Sequence, residues 1–209
     1  MKPSPGDPAK LKEPPATVRG ARTRATLVQA ARRVFERDGY VNSRLTDITA
    51  EAHCSIGTFY TYFDGKDEIF TAVLLDAQAD MMHPGGPRLE GDADPAEIIR
   101  ASNRAYLQAY QRNARLMALM EQVAGIDENF AALRLERAKA FTDRNARWIG
   151  KLQDRGLAAS DLDPHLAASA LSSMVSRMAY NTWVLGDERP VDDITEIVTQ
   201  IWINALRLE

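Results

Sequence analysis

The sequence has little of what marks a secreted, disulfide-bonded or membrane protein. It contains one cysteine in 209 residues, Cys54, so no intrachain disulfide can form and a reducing compartment is expected. No apolar run approaches the ~18 residues that a membrane-spanning helix needs. The N-terminus lacks the apolar segment of a secretory signal. These absences predict a cytoplasmic protein, with Cys54 acting as a small buried hydrophobe.

Signatures of the common enzyme classes are also missing. There is no glycine-rich phosphate loop, no metal-binding spacing of Cys and His, and no nucleophile elbow. Asp76, Asp80 and His83 share one helical face, but a solvated polar face explains this grouping better than a metal site. The sequence therefore predicts no catalytic residues, no metal, no cofactor and no enzymatic activity.

The sequence has no large excess of either charge, because its 26 Lys and Arg nearly balance its 29 Asp and Glu, but the positive charge is unevenly distributed. Residues 1–66 contain 11 Lys and Arg against 7 Asp and Glu, whereas residues 67–209 contain 15 against 22. A basic N-terminal part and an acidic remainder are expected when one end of a chain binds a nucleic acid and the other end does not.

Apolar residues repeat with helical spacing along most of the chain, and no segment shows the alternation of a β-strand. At positions 94 and 163 an aspartate precedes a proline, which is typical of a helix start. The pattern predicts an all-α protein with nine helices. Its expected parts are a disordered, basic, proline-rich arm (1–21), a first helical domain (22–82), a linker (83–94), and a second helical domain (95–209).

Residues 45–64 contain two short helical segments joined by a tight turn. Thr46 is expected to cap a helix over 47–52, and Ser55 a second helix over 56–62. The second helix carries hydroxyl side chains and no acid, which suits contact with phosphates and base edges in a DNA groove. A plain three-helix packing element would have the same layout, so this pattern alone is a weak signal for DNA binding.

A longer string of residues, from Arg24 to Met82, resembles the DNA-binding domain of the TetR/AcrR family of transcriptional repressors. The rest of the chain matches that family only in length and helical layout. The family usually has glycine in the turn, where this chain has His53, so we expect His53 at a positive φ with a strain of ~1 kcal/mol. The matching residues are Ala30, Ala31, Phe35, Asp38, Gly39, Tyr40, Thr46, Asp47, Ile48, Thr49, Ser55, Gly57, Thr58, Phe59, Tyr60, Tyr62, Phe63, Lys66 and Ile69.

The resemblance implies a set of DNA contacts. Thr46 and Lys66 would bind phosphates at the N-termini of their helices, and Gly57 would let the backbone approach the DNA closely. Tyr60 and Tyr62 would reach phosphates through their hydroxyls, although each has a structural alternative in partial burial. The complete predicted set is Arg44, Thr46, Ser55, Gly57, Thr58, Tyr60, Thr61, Tyr62 and Lys66.

Two broad apolar faces near the C-terminus predict a homodimer formed through a four-helix bundle, which the resemblance also implies. The alternative is that these faces pack within one chain. The predicted interface residues are Ala167, Leu171, Val175, Ile194, Ile197, Val198, Ile201, Trp202 and Ala205.

Large aromatic and methionine side chains on the middle helices either line an adaptable apolar cavity or form ordinary core. These residues are Tyr106, Tyr110, Met117, Met120, Phe141, Trp148, Met174, Met178 and Trp183. The sequence thus predicts a repressor that binds a palindromic operator in double-stranded DNA as a homodimer and is released by a lipophilic or aromatic effector. The alternative is an architectural DNA-binding protein that responds to no ligand.

Overall fold

The computed structural model describes residues 11–82, 94–187 and 189–208. All regular structure in these residues is helical, which confirms the predicted all-α fold. No helix among them is long and apolar enough to cross a membrane. The helices are α1 (Val18–Asn42), α2 (Leu45–Glu51), α3 (Ile56–Tyr62), α4 (Lys66–Met82), α5 (Pro95–Arg112), α6 (Ala114–Ala124), α7 (Glu128–Asp154), α8 (Pro164–Trp183) and α9 (Val191–Leu206).

By their packing the helices form two compact units. The first comprises Met1–Gln78 and Arg115–Leu135, and the second comprises Ala79–Ala114 and Glu136–Glu209. Residues 115–135 therefore pack with the N-terminal helices, whereas the sequence pattern alone groups them with residues 95–209. Residues 1–10 of the expected arm and residues 83–93 of the expected linker lie outside the described residues.

The core of the first unit is a cluster of aromatic rings. Phe35 and Phe70 meet edge to face with their ring centroids 4.9 Å apart, and Tyr40 packs on Phe70 at 4.7 Å. Phe130 of α7 lies 5.4 Å from Phe70. Such ring pairs contribute about 0.5–1.5 kcal/mol beyond the burial of their area. The cluster holds α1 against α4, and α2 packs on α1.

Several helix ends follow the predicted signals. The carboxylate of Asp94 accepts a hydrogen bond from the backbone N–H of Ala96 at 2.9 Å, and that of Asp163 accepts one from Leu166 at 2.8 Å. Each aspartate is followed by proline at the first helical position. Gly39 adopts a φ of 76°, a non-helical conformation inside α1 that glycine takes without strain.

The start of α1 differs from the prediction. The helix begins at Val18, because the hydroxyl oxygen of Thr17 accepts a hydrogen bond from the backbone N–H of Gly20 at 3.1 Å and so caps it. Residues 18–21 are therefore helical and do not belong to a disordered arm.

The start of α2 also differs, because Arg44 and not Thr46 is its N-cap residue. The carboxylate of Asp47 accepts a hydrogen bond from the backbone N–H of Arg44 at 3.2 Å. This contact is one half of a capping box and it starts the helix at Leu45. Thr46 is consequently an exposed residue in the first turn.

In the second unit α5 packs along α9 and also contacts α8. The side-chain amide of Asn103 donates to the hydroxyl of Thr199 at 3.2 Å, and both residues are buried. Thr195 is buried as well, and its hydroxyl donates to the carbonyl of Val191 at 2.8 Å. Buried polar groups with partners of this kind fix how two helices align.

Candidate functional sites

The turn between α2 and α3 closes with a Schellman motif. The backbone N–H of Cys54 donates to the carbonyl of Thr49 at 3.0 Å, and that of His53 donates to Ala50 at 3.1 Å. His53 has a φ of 52°, which confirms the positive φ predicted for the turn. Burial raises the pKa of the Cys54 thiol, so this side chain is a poor nucleophile.

Helix α3 has one buried face and one exposed face. Phe59 and Phe63 are fully buried, as predicted, with their rings 5.8 Å apart. Tyr60 is 50 % exposed, and its ring stands edge-on to Phe59 at 5.5 Å. The exposed residues from the N-cap to the end of the helix are Ser55, Ile56, Gly57, Tyr60 and Thr61. No acid lies among them, so the face presents no charge that would repel a phosphate.

The hydroxyl groups of α3 are partly engaged with one another. The hydroxyl of Ser55 accepts a hydrogen bond from the backbone N–H of Thr58 at 3.1 Å, which confirms Ser55 as the N-cap. The two side-chain hydroxyls lie 3.0 Å apart. A hydrogen bond between these two hydroxyls uses the hydrogen of one of them. The hydrogen of the other hydroxyl can still be donated to a ligand. The hydroxyl of Thr61 donates to the carbonyl of Gly57 at 3.2 Å and keeps its acceptor capacity.

Gly57 lies on the exposed face in a helical conformation. A Cβ added there would have a single neighbour within 4 Å, the hydroxyl oxygen of Ser55 at 3.7 Å, which is an ordinary contact distance. The fold therefore does not require glycine at this position. An external surface that approaches the α3 backbone closely would require it.

Tyr62 is only half-exposed, and it lies beside the start of α1. A Cβ added to the buried Gly20 would stand 3.6 Å from the Tyr62 hydroxyl and 2.8 Å from Cβ of Pro15. The N-terminal turn of α1 thus adjoins the C-terminal end of α3. Arg19 and Arg22 of that turn are exposed, and neither forms an ion pair within the described part of the chain.

In the part of the expected disordered arm that the structure describes, Lys12 contacts α3 and α4, which the sequence does not predict. The Lys12 ammonium donates to the carbonyl of Tyr60 at 2.7 Å and pairs with the carboxylate of Asp64 at 2.7 Å. The backbone N–H of Lys12 donates to the carboxylate of Glu68 at 2.6 Å. A cation is favourable here because the carbonyls at a helix C-terminus carry partial negative charge.

The Lys66 side chain points to the end of α1. Its ammonium donates to the carbonyls of Tyr40 at 2.9 Å, Val41 at 3.3 Å and Ser43 at 3.3 Å, and it lies 4.7 Å from the centre of the Tyr40 ring. These three bonds match the three donors of an ammonium group. The phosphate contact predicted for Lys66 is therefore open only to its backbone N–H at the start of α4.

Several arginines of α1 are already paired with acids. Arg33 lies 2.6 Å from the carboxylate of Glu51, and its hydrogen bond lowers the pKa of that acid. Arg37 pairs with Asp38 at 2.7 Å. Arg44, in contrast, is exposed at the start of α2 and has no ion pair among the described residues. Fewer positively charged side chains are therefore available to contact DNA than the number of lysines and arginines suggests.

In the second unit, four of the predicted pocket residues come together as a group that we name the ring cluster. Tyr106 and Tyr110 follow one another on α5 with ring centroids 6.0 Å apart. Phe141 of α7 meets Tyr106 edge-on at 5.4 Å, and Trp183 of α8 lies 6.2 Å from Tyr110. Tyr110 is buried, whereas the other three are half-exposed. The cluster therefore keeps aromatic surface open to a ligand.

The other predicted pocket residues are divided between the two units. Met117 and Met120 are buried on α6 and belong to the first unit. Trp148, Met174 and Met178 are half-exposed in the second unit.

Two arginines of α7 that the sequence prediction does not include border the ring cluster. The guanidinium carbon of Arg144 lies 5.4 Å from the centre of the Phe141 ring, and one of its nitrogens donates to the carbonyl of Met82 at 2.9 Å. Arg137 is 5 % exposed. Burial raises the pKa of the Tyr106 phenol, and the positive charges of both arginines oppose that rise. The cluster is therefore aromatic and cationic together.

The predicted dimer residues separate into a buried and an exposed set. Ile194, Val198 and Trp202 of α9 are buried within the chain itself, as are Leu171 and Val175 of α8. They form core of the second unit, in line with the alternative that these faces pack within one chain.

The exposed set forms one stripe on α9. Ile197 is 49 % exposed and Ile201 is 37 % exposed, and Ala205 continues the same face four residues later. We name these three residues the α9 stripe. On α8, Ala167 is half-exposed and the neighbouring Leu166 is 72 % exposed. The surface open to a partner is therefore smaller than the sequence pattern predicts.

The acids of the weak metal-site candidate have other partners. Asp76 accepts a hydrogen bond from the side-chain amide of Gln29 at 3.3 Å, and Asp80 pairs with Arg112 at 2.9 Å. His83 lies outside the described residues. No group of three or more potential metal ligands occurs in residues 11–82, 94–187 and 189–208.

A capped seven-residue helix, held after a tight turn and exposing hydroxyls and an unobstructed glycine, defines a helix-turn-helix DNA-binding protein. Residues 27–73 match the family of bacterial regulatory proteins called the tetR family. This match covers the helix-turn-helix domain, and together with the relatives that follow it supports a TetR family transcriptional regulator.

Two relatives align over most of the chain. The regulator TtgR of Pseudomonas putida is 26% identical over 195 residues, which cover 89% of this chain and 92% of TtgR. The repressor BepR of Brucella suis is 27% identical over 184 residues, covering 80% of this chain and 83% of BepR.

The fold is shared with the solved structure of a repressor. SmeT, the repressor of the Stenotrophomonas maltophilia multidrug efflux pump SmeDEF, superposes with a TM-score of 0.70 at 21% identity. The alignment covers 87% of this chain and 89% of SmeT. At this identity the likeness concerns the fold.

Proposed function

We propose that the protein is a ligand-responsive repressor that binds a palindromic operator as a homodimer and leaves it when a small effector binds. The exposed face of α3 carries the proposal, because it combines hydroxyl donors, no acid and a glycine that the fold does not require. Repression as the direction of control is supported by BepR, which is named a repressor. Such a protein acts in the cytoplasm, where the DNA is.

In the proposed complex α3 lies in the major groove, and Gly57 gives the DNA backbone room to approach. Ser55, Thr58, Thr61 and the two tyrosines of α3 reach phosphates or base edges. Arg44 and Thr46 bind phosphate at the start of α2. Arg19 and Arg22 extend this set, since the start of α1 adjoins the end of α3.

A dimer is needed because one seven-residue helix makes too few base contacts. Single DNA-binding modules bury about 600–1,000 Å² of protein surface, whereas specific complexes generally bury more. Two copies joined through the α9 stripe would present two recognition helices to half-sites about 34–36 Å apart. The apolar, exposed side chains of Ile197 and Ile201 support this face as the contact.

Release by an effector requires that the effector bind the DNA-free conformation of the dimer more tightly than the DNA-bound one. Helix α4 begins in the first unit with Lys66 and ends in the second with Met82. A conformational change at the Met82 end would be transmitted along this continuous helix. This supports α4 as the element that links effector binding to DNA binding.

Selection of duplexes from a random pool, followed by gel shifts in competition with unrelated DNA, tests this function. A specific regulator should enrich one palindrome and prefer it by roughly 10³-fold or more at physiological salt. Equal affinity for all duplexes would instead support the architectural alternative, because phosphate contacts alone carry no sequence preference.

A further inference from the structure

Arg144 is a partly buried cation that forms no ion pair with a carboxylate in the described parts of the chain. Among the described residues no carboxylate lies within ion-pair distance of its guanidinium, which contacts the Met82 carbonyl and the Phe141 ring. Burial lowers the pKa of this guanidinium, so its surroundings disfavour the charge that it carries. The other arginine at the cluster, Arg137, adds a second positive charge nearby.

This arrangement leaves donor capacity unused. The Met82 carbonyl accepts from one guanidinium nitrogen, whereas a guanidinium has five N–H donors in a planar fork. A carboxylate accepts two parallel hydrogen bonds from such a fork and neutralises its charge at the same time. An unpaired, partly buried cation is destabilising, so a ligand that supplies the missing anion gains binding energy from it.

The groups beside Arg144 indicate what the rest of such a ligand would be. The ring cluster offers the half-exposed aromatic surfaces of Tyr106, Phe141 and Trp183. The side chain of Ser176 lies near the Tyr106 phenol and opposes the rise in its pKa, so it adds a polar group at the same place. Ligand sites typically combine an apolar lining with a few polar groups that fix the orientation.

We propose that Arg144 binds the carboxylate of the effector and that the effector is an amphipathic organic acid, with its aromatic or aliphatic part against the ring cluster. This inference rests on the proposed function, because it names the chemical class of the effector. The same guanidinium donates to the carbonyl of Met82, the last residue of α4, so a carboxylate bound to Arg144 would be linked to the end of that helix.

Pairs of probes that differ only in charge test the inference on the unmodified protein. Naphthoate is compared with naphthamide, and decanoate with decanamide, by isothermal titration calorimetry. At least one acid should bind about 10- to 100-fold more tightly than its amide, because hydrogen bonds to charged groups are stronger than neutral ones. The inference is overturned if the amides bind as tightly as the acids, or if no acid binds at millimolar concentration.

Variants identify the residue responsible. In Arg144→Gln the preference for the acid should fall to about one, and in Arg144→Lys it should be reduced but kept, since an ammonium retains the charge without the bidentate fork. Arg147→Gln, which changes an exposed arginine on the same helix, is the matched control and should retain the full preference. A preference that persists in a folded Arg144→Gln variant would contradict the assignment.

Operator binding separates failure of this inference from failure of the proposed function. A protein that binds its selected duplex and is released by the amides but not by the acids refutes the acidic effector and leaves the repressor intact. A protein that shows no sequence preference on DNA, yet favours the acids through Arg144, refutes the repressor and leaves the acid site intact.

Discussion

The two units of the molecule orient their polar side chains in opposite ways. In the first unit the hydroxyls of α3 and the guanidinium of Arg44 are exposed, while Phe59 and Phe63 form the core beneath. In the second unit Asn103 and Arg137 are buried. A surface that binds a large rigid polymer can be built on one short helix, whereas enclosing a small molecule requires side chains from several helices. This contrast can be tested residue by residue.

The largest effect is expected where the two faces of α3 meet, at the adjacent residues Phe59 and Tyr60. Phe59→Ala should lower the free energy of unfolding by about 3–5 kcal/mol, because it leaves a cavity in the core. Tyr60→Ala should change it by less than about 1 kcal/mol yet weaken operator binding. Urea unfolding at fixed protein concentration, paired with gel shifts, measures both. Equal destabilisation by the two changes would remove the distinction between the faces.

In the second unit, a substitution in the exposed α9 stripe tests whether this surface forms the dimer interface. Ile201→Glu should raise the dimer dissociation constant at least about 100-fold, because two glutamates would be buried in an apolar contact. Sedimentation over a range of protein concentrations measures it, and Gln200→Glu on the adjacent exposed position is the control. An unchanged dimer would exclude this stripe as the interface.

Lys66 and Arg44 carry the same charge near the same surface, but their surroundings differ. Lys66→Ala should lower the free energy of unfolding by about 1–3 kcal/mol, because it leaves three carbonyls at the end of α1 without their donor. Arg44→Ala should leave stability unchanged and reduce the salt dependence of operator binding by about one unit per subunit.

Thermal melts and gel shifts at several salt concentrations distinguish these two roles. Each variant serves as the control for the other. If Lys66→Ala melts like the unmodified protein and flattens the salt dependence, its ammonium binds phosphate in the complex and the contacts to α1 are not retained there.

The smallest effect is expected at the turn between α2 and α3. His53→Gly should raise the free energy of unfolding by about 0.5–1 kcal/mol, because glycine adopts a positive φ without strain. His53→Ala, which keeps a Cβ at that φ, is the control and should not stabilise. A melting temperature that falls in the glycine variant would mean that the histidine side chain contributes contacts of its own.

The DNA-binding unit could be predicted in detail because its information is local. The cap at Ser55 and the positive φ of Gly39 each depend on a few consecutive residues, and the positive φ of His53 follows from the family resemblance over the same segment. The Lys12 contacts and the inward turn of the Lys66 side chain could not be predicted, since they join residues far apart in the chain. The phosphate contact of Lys66 was implied by the family resemblance, and the composition of residues 1–21 gave no sign of the Lys12 contacts.

Less of the second unit could be predicted from local sequence signals. Its helix starts at Asp94 and Asp163 were readable, but which face of α9 is buried depends on how α5 packs along it. The sequence did contain a signal for the cationic cluster: positions 137, 141, 144 and 148 fall on one helical face, with arginine and aromatic residues alternating. A search for apolar residues with helical spacing selects the aromatic residues on that face and does not select the arginines.

The central claim is that the exposed face of α3 binds DNA, and Gly57→Ala tests it most directly. Alanine fits the space around Gly57 and is the better helix former, so the melting temperature should stay the same or rise. Affinity for the selected operator should fall about tenfold or more, because the added methyl group meets the DNA backbone. Unchanged operator affinity in this well-folded variant would contradict the account.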